Sequence, residues 1–304
     1  MIARDMTSLD LCYESLDGLS VGDAVGAQFF VPGTTLSHIT EAAEPPGAWP
    51  WTDDTEMACS IVDELAVHGR IDRDRLASAF SRRYEPYRGY GGGAVVVLHR
   101  IRDGVPWREA ARDAFDGLGS MGNGAAMRVA PLGAFHAGDS RSAALDAMRS
   151  AEVTHAHSEG ILGAVAVAVA AAEAGWGRLV DAPLEPGELF DAVLAYQVDS
   201  QVKSGLERAR RLVDEGAGVA EAAYVLGNGS QVLAQDTVPF ALWAAATHLA
   251  DYRAAILACV EAGGDVDTTA AITGGVVAAA VGRDGIPKDW LTHREQLPGW
   301  VAAP

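Results

Sequence analysis

The stretch Gly263-Gly264-Asp265-Val266-Asp267-Thr268-Thr269 decides how the chain is organised. Paired glycines end a helix, because glycine adopts the left-handed C-terminal cap conformation at little cost. Aspartate and threonine begin a helix, because their side-chain oxygens accept the free N–H groups of the first turn. Apolar residues follow directly, at 270–272 and 276–281. The stretch therefore predicts a helix end, a tight turn and a second helix that begins near Asp267.

A second cluster of the same composition, Thr52-Asp53-Asp54-Thr55, lies far upstream. Helix capping accounts for either cluster taken alone, but two oxygen-rich helix starts exceed what capping requires. Carboxylates brought together raise one another's pKa values unless a cation neutralises them. Carboxylate and hydroxyl oxygens select hard cations such as Mg²⁺, Mn²⁺ or Ca²⁺. The candidate ligands, a set that suits two divalent ions, are Thr52, Asp53, Asp54, Asp265, Asp267 and Thr268.

Alanine-rich segments with helical spacing dominate the rest of the chain, and segments typical of strands are nearly absent. We predict an all-α fold with one domain over residues 1–304, in which proline- and glycine-containing residues 29–50 form a loop and residues 285–304 a closing flap. Glycines 18, 22 and 26 lie four apart on one helix face, where a helix or a ligand could approach closely. The predicted helices span 7–25, 55–67, 71–84, 94–102, 107–114, 141–151, 161–174, 188–197, 202–215, 237–249 and 252–262.

Three loops and one helix start carry residue types that suit ligand contact. Residues 85–93 combine Arg88 and Tyr90 with glycines, and loops with such groups often close over ligands. Residues 117–124 are glycine-rich and run into a helix, which suits phosphate binding as well as it suits a flexible turn. No P-loop ending follows, and no strand precedes. His155 and His157 lie at a helix start, where contact with a ligand is more plausible than zinc binding.

Composition excludes several classes of partner. Against 23 lysines and arginines stand 41 aspartates and glutamates, a net charge of −18, which disfavours nucleic acid and anionic membranes. The three cysteines are far apart and follow no metal-binding spacing. The N-terminus has no signal-peptide core, and the longest apolar run, residues 161–172, is too short to span a bilayer. We expect a cytoplasmic protein.

Five motifs occur in order along the chain. They are Gly22-Asp23-Ala24-Val25-Gly26, Trp51-Thr52-Asp53-Asp54-Thr55, Gly122-Asn123-Gly124-Ala125-Ala126-Met127-Arg128, Thr154-His155-Ala156-His157 and Gly263-Gly264-Asp265-Val266-Asp267-Thr268. Together they resemble the ADP-ribosylglycohydrolase family, which includes dinitrogenase reductase-activating glycohydrolase and ADP-ribosylarginine and ADP-ribosylserine hydrolases. The resemblance covers residues 18–290 and implies an orthogonal multi-helix bundle around two Mg²⁺ or Mn²⁺ ions.

The resemblance also implies the composition of the site. The six oxygen ligands given above match the metal-binding residues of the family. The segment Ser120-Met121-Gly122-Asn123-Gly124 matches its diphosphate-binding loop, and His155 matches the histidine on the adenosine side. Arg88, Tyr90, Gly229 and Ser230 are expected to complete the cleft.

One position departs from the family pattern. Several members carry a glutamate four residues after the last glycine of the first motif, and this chain has Phe30 there. Either a metal-bound aspartate handles the proton, for which Asp53, Asp54 and Asp267 are the candidates, or the substrate differs, or activity is weak.

The implied activity is metal-dependent hydrolysis of the glycosidic bond at the distal ribose of ADP-ribose conjugates. Cleavage would pass through an oxocarbenium-like state that nearby carboxylates stabilise. The arginine linkage to protein is favoured. The alternatives are a small conjugate such as O-acetyl-ADP-ribose, or a non-catalytic ADP-ribose-binding protein.

Overall fold

The structure, a computed structural model, describes residues 6–40 and 48–301. Within these ranges the chain folds into α-helices and short 3₁₀ turns, and the only β-pairing is two isolated bridges. The all-α prediction is confirmed. The helices are α1 (Ser8–Gln28), α2 (Leu36–Thr40), α3 (Asp53–His68), α4 (Arg73–Arg83), α5 (Gly92–Arg102), α6 (Trp107–Gly117), α7 (Ala130–Phe135), α8 (Ser140–Glu152), α9 (Ser158–Leu179), α10 (Pro186–Leu194), α11 (Gln201–Glu215), α12 (Val219–Leu226), α13 (Ala234–Thr247), α14 (Tyr252–Ala262), α15 (Val266–Val281) and α16 (Lys288–His293).

Helices α1 and α15 form the central pair of the core. A Cβ atom on Gly22 would lie 2.1 Å from the carbonyl oxygen of Ala270, and one on Gly26 would lie 2.5 Å from the Cα of Asp267. Only glycine lets the two backbones come this close. The small-residue stripe therefore serves helix packing, and Gly26 seats the first turn of α15, with Asp267, against α1.

Helix α9 is the other long helix of the core. It has 22 residues and contains an 18-residue apolar segment with a mean hydropathy of 1.5, so by length and composition alone it could cross a membrane. However, 83% of that apolar segment is buried inside the protein. This burial is what the core helix of a folded domain shows, because its alanine-rich surface packs against neighbours on most sides.

The turn predicted at Gly263 is confirmed. Helix α14 ends at Ala262, Gly263 and Gly264 have φ angles of 64° and 78°, and α15 begins at Val266. Thr52 is the N-cap of α3, as its position before two aspartates suggests, and its side chain accepts the N–H of Asp54. The two predicted helix starts are thus both present.

Some short elements are missing from the prediction. The expected loop 29–50 contains α2, and residues 41–47 of that loop lie outside the described residues. Helices α7 and α12 were also not predicted. The expected closing flap contains α16, whose Trp290 is fully buried and donates its indole N–H to the carbonyl of Ile39 at 3.1 Å. Short apolar segments carry too few residues to show a helical period.

The α1–α15 contact makes a testable prediction. Gly22→Ala is expected to lower the free energy of unfolding by about 1–3 kcal/mol, because the added methyl group would force two backbones apart. Gly92→Ala is the matched control, since a Cβ at Gly92 meets no atom of the described residues within 4 Å. Urea unfolding measures both. Equal stability of the two variants would contradict the packing assigned to the stripe.

Candidate active site

The two oxygen-rich helix starts meet in space. Helices α3 and α15 both bring their N-termini to the C-terminal half of α1, and one carboxylate oxygen each from Asp23, Asp54 and Asp267 lies within 4.8 Å of the others. Asp54 and Asp267 are predicted ligands from sequence positions more than 200 residues apart. Asp23, on α1, joins them as a third carboxylate.

Asp23 has a role that the sequence analysis missed. Its carboxylate accepts the backbone N–H groups of Thr52 and Thr55 at 2.9 and 3.1 Å and both threonine hydroxyls, at 2.9 and 2.5 Å. These bonds fix the start of α3 from a neighbouring helix. The available signal was a charged residue among small and apolar residues of a helix, because such a charge is buried only where hydrogen bonds compensate for lost water.

Burial raises the pKa of Asp23, Asp53, Asp54 and Asp267, and repulsion by neighbouring carboxylates raises it further in the last three. Burial, followed by the charges of Asp23 and Asp267, raises the pKa of Asp54 well above its usual range. Burial and then Asp265 do the same to the pKa of Asp267. The pKa of Asp53 is raised to about 8, by burial and then by Asp23. The pKa of Asp23 is raised to about 6 by burial, against four hydrogen bonds that lower it.

The residues present fit a divalent cation. The Oδ1 atom of Asp54 is buried and has no hydrogen-bond partner among the described residues. A buried carboxylate oxygen without a partner is costly unless a cation meets it. The donors are carboxylate and hydroxyl oxygens, which suit Mg²⁺, Mn²⁺ or Ca²⁺.

The other predicted ligands lie around this cluster. The Thr52 hydroxyl oxygen lies 3.0 Å from Asp54 Oδ2, and its one hydrogen is shared between that oxygen and Asp23 Oδ1. Thr268 is buried, and its backbone N–H donates to Asp267 Oδ1 at 2.8 Å. Asp53 is only partly buried, and a Cβ on Gly89 would lie 3.8 Å from its Oδ1 atom.

Asn123 of the glycine-rich loop is turned towards the cluster. Its amide group donates to Asp265 Oδ2 at 2.7 Å and to Thr237 Oγ1 at 3.0 Å. Its side chain therefore orients a predicted metal ligand. Such partners of metal ligands set ligand orientation and charge.

The remainder of that loop is fixed by local bonds. Ser120 accepts the N–H of Gly122 on its hydroxyl at 3.1 Å. The loop also pairs with residues after α12, since Asn123 N donates to the carbonyl of Val232 and Ala234 N to the carbonyl of Met121. The glycine-rich segment is thus held in one place beside the acidic cluster.

His155 lies beneath the loop. Its Nε2 atom is 3.5 Å from the positions that Cβ atoms on Gly122 and Gly124 would occupy, and its Nδ1 atom shares a hydrogen bond with Thr154 Oγ1 at 2.8 Å. Burial, followed by the charge of Arg128, lowers the pKa of His155 to about 3. The imidazole is therefore neutral at physiological pH.

Arg88 and Tyr90 direct their polar groups at protein partners. Arg88 is 8% exposed and forms a bidentate ion pair with Glu295. Tyr90 donates its hydroxyl to Glu56 Oε2 at 2.5 Å. Both side chains thus bind protein partners, and neither partner, Glu56 or Glu295, was identified from the sequence.

The loop after α12 supports Asp265 from the other side. Gly229, with φ of 85°, has no room for a side chain, since its Cβ would lie 2.6 Å from the Cβ of Asp265. The carbonyl of Asn228 accepts the N–H of Asp265 at 3.1 Å. Ser230, next to them, is exposed.

The cap formed by Asp23 leads to a prediction. Asp23→Asn is expected to lower metal affinity and turnover by about 10–100-fold, the usual effect of losing a partner of metal ligands. Asp72→Asn is the control, since Asp72 caps α4 through the N–H groups of Asp74 and Arg75 outside the cluster. Calorimetric titration with Mg²⁺ and a turnover assay measure both variants. Equal losses in the two would show that capping alone explains Asp23.

Comparison with known proteins covers nearly the whole chain. A family model described as ADP-ribosylglycohydrolase matches residues 5–303. ADP-ribosylhydrolase ARH3 of Homo sapiens is 29% identical over 95% of this chain and 89% of its own. An uncharacterised protein of Archaeoglobus fulgidus is 30% identical over 90% of this chain and 88% of its own.

Two further likenesses point the same way. ADP-ribosylarginine hydrolase Tri1 of Pseudomonas putida is 24% identical over 93% of this chain and 74% of its own. A solved structure described as an ADP-ribosylglycohydrolase-related protein complex superposes with a TM-score of 0.65 and 25% identity, over 95% of this chain and 93% of that one.

Proposed function

We propose, from the premise that the chain belongs to the ADP-ribosylglycohydrolase family, that this glycohydrolase is metal-dependent and cleaves ADP-ribose conjugates at the distal ribose. The observation that carries the proposal is the buried carboxylate cluster of Asp23, Asp54 and Asp267, with Asp54 Oδ1 lacking a partner among the described residues. In a cluster with only a structural role, the mutual repulsion of the carboxylates would destabilise the fold. A bound cation would neutralise that repulsion.

The ligands of the proposed centre come from the starts of α3 and α15. They are Thr52, Asp53, Asp54, Asp265, Asp267 and Thr268. Divalent cations, Mg²⁺ or Mn²⁺, would supply charge neutralisation, orientation of the ribose hydroxyls and activation of water. Asp23 and Asn123 would hold these ligands in place through the hydrogen bonds described above.

Proton transfer is assigned to Asp53. Several members of the family have a glutamate at the position of Phe30, and in this chain the Phe30 side chain is 54% exposed. Asp54 is 1% exposed, so its carboxylate is the most enclosed of the three candidates. Asp53 is partly exposed and lies beside Gly89, which has no side chain to cover its Oδ1 atom. Asp267 is the other candidate that is not fully buried.

The substrate would lie along the glycine-rich loop. Residues 120–124 would lie along a diphosphate, with the Ser120 hydroxyl as a donor and the neutral His155 as support. The N–H groups of Gly122 and Asn123 are engaged within the protein. Phe115 precedes the loop with φ of 53° and a ring that is 57% exposed. An exposed aromatic face can stack on a nucleobase, and we assign the adenine to it.

The acceptor is proposed to be arginine on a protein. A net charge of −18 attracts a cationic partner and repels an acidic one. The cationic guanidinium group is the acceptor that this negative charge attracts. A small conjugate such as O-acetyl-ADP-ribose has no cationic acceptor for the charge to attract. Binding of ADP-ribose without catalysis would not require the carboxylate cluster.

A panel of substrates tests the proposal. Peptides ADP-ribosylated on arginine, on serine or on an acidic residue, and O-acetyl-ADP-ribose, are incubated with the protein and Mg²⁺, and released ADP-ribose is measured. Release is expected from the arginine linkage at the highest kcat/KM. Preferred release from another linkage would overturn the acceptor assignment, and tight binding of ADP-ribose without any release would favour the binding protein.

A further inference from the structure

Trp51, the residue before the predicted metal ligands at the start of α3, is held by three contacts with two partners, Arg88 and Gln296. The carbonyl of Trp51 accepts a hydrogen bond from Arg88 Nη1 at 2.9 Å. The Arg88 guanidinium lies 3.3 Å from the centre of the Trp51 ring. The indole N–H donates to the carbonyl of Gln296 at 3.4 Å. The backbone that leads into Thr52 is thus fixed by Arg88 and by the end of the chain.

Residues 293–300, which we call the C-terminal strap, run beside this backbone. Trp49 N donates to the carbonyl of His293 at 2.6 Å, and Glu295 N donates to the carbonyl of Trp49 at 2.8 Å. The rings of Trp49 and His293 stack with centroids 5.0 Å apart. The strap therefore sets the register of residues 49–51, directly before the start of α3.

Glu295 links the strap to Arg88. Arg88 Nη1 and Nη2 each donate a hydrogen bond to one carboxylate oxygen of Glu295, both at 2.8 Å. This bidentate geometry fixes direction as well as distance. Because Arg88 is 8% exposed, loss of Glu295 would leave a buried charge without its partner, which is strongly destabilising for the contact.

The loop that carries Arg88, residues 85–93, reaches the acidic cluster. Gly89 follows Arg88 and lies against Asp53, and Tyr90 is tied to Glu56 on α3. Arg88 and Glu295 also line a cavity of 350 Å³. The hydrogen bonds and the ion pair of Arg88 therefore hold the loop where side-chain packing is incomplete.

We propose that Arg88 and Glu295 are positioning residues through which the C-terminal strap holds Asp53 and Asp54 ready for divalent cations. Neither side chain touches the carboxylate cluster, and their effect passes through Trp51 and Gly89. The inference rests on the proposed function for its ligand, but its effect on backbone mobility requires no metal.

The Glu295→Ala variant of the full chain tests the proposal by two measurements. Hydrogen exchange of the metal-free protein is expected to be about tenfold faster at amides 52–55. Mn²⁺ titration, followed by the paramagnetic signal of free Mn²⁺, is expected to show about tenfold weaker binding, the lower end of the effect of ligand-supporting residues. Glu295→Gln keeps the acceptor oxygen and is expected to restore part of both.

Asp289→Asn provides the matched control. Asp289 lies on α16, just before the strap, and pairs with Arg253 on α14, away from the cluster. It is expected to change neither exchange at residues 52–55 nor Mn²⁺ affinity by more than about twofold. Unchanged exchange and affinity in folded Glu295→Ala, or equal changes in Asp289→Asn, would overturn the proposal. Absence of Mn²⁺ binding by the wild-type chain would contradict the proposed function, and exchange would still decide the role of the strap.

Discussion

The Asp54→Asn variant is expected to lose cation binding and turnover together while its fold stays intact. Asp54 is the most enclosed of the proposed ligands, with one oxygen near the Thr52 hydroxyl and the other without a partner among the residues that the structure describes. Replacing a ligand should cost more than the 10–100-fold that loss of a supporting residue costs, so affinity and kcat/KM should fall by more than about 100-fold. Mg²⁺ titration and ADP-ribose release measure the two losses.

The same variant should be more stable than the wild type without metal. Burial and neighbouring charges raise the pKa of Asp54, so the metal-free wild type must take up a proton or endure repulsion, and asparagine needs neither. Asp63→Asn, on the same helix, removes only an ion pair with Arg83 and should keep affinity and activity within about twofold. An active Asp54→Asn variant would refute the metal centre.

The stability of the metal-free protein is expected to fall as pH rises from about 5 to 8. The folded-state pKa values of Asp23 and Asp53, about 6 and about 8, lie above the ordinary value of 3.8. The folded state therefore binds more protons than the unfolded state in this interval. The contribution of these two protonated aspartates to stability is complete below pH 3.8 and is lost as the pH rises through their folded-state pKa values.

Mg²⁺ should reverse this trend, because the cation replaces the protons. A ligand at one hundred times its Kd adds about 2.7 kcal/mol, or roughly 5 °C in Tm for a chain of this size. Differential scanning fluorimetry at pH 5 to 8, with and without Mg²⁺, measures this effect. The Asp54→Asn variant, which should not bind the cation, shows how much of the change in Tm comes from groups outside the cluster. A Mg²⁺ shift that does not grow with pH would contradict the cluster's role.

The parts of the fold that the sequence predicts are those with local causes. Gly263 and Gly264 end α14 because of their own backbone preferences, and Thr52 begins α3 through a side-chain bond two residues away. Long apolar segments such as α9 show a helical period. Helix α2, with five residues, is too short to show one.

The details of the site depend on distant partners and were predicted less well. Asp23 meets Thr52 and Thr55 from 29 and 32 residues away. Arg88 was assigned to the cleft by residue type, but its direction is set by Glu295, 207 residues later. Capping rules and motif composition carry no information on such pairs, so they predict candidate ligands and not the residues that support them.

The most direct measurement is release of ADP-ribose from an arginine-ADP-ribosylated peptide in Mg²⁺ and in excess chelator. If the reaction depends on the proposed metal centre, release is expected with Mg²⁺, none with chelator, and recovery when Mg²⁺ is restored. Equal release in chelator would contradict metal dependence.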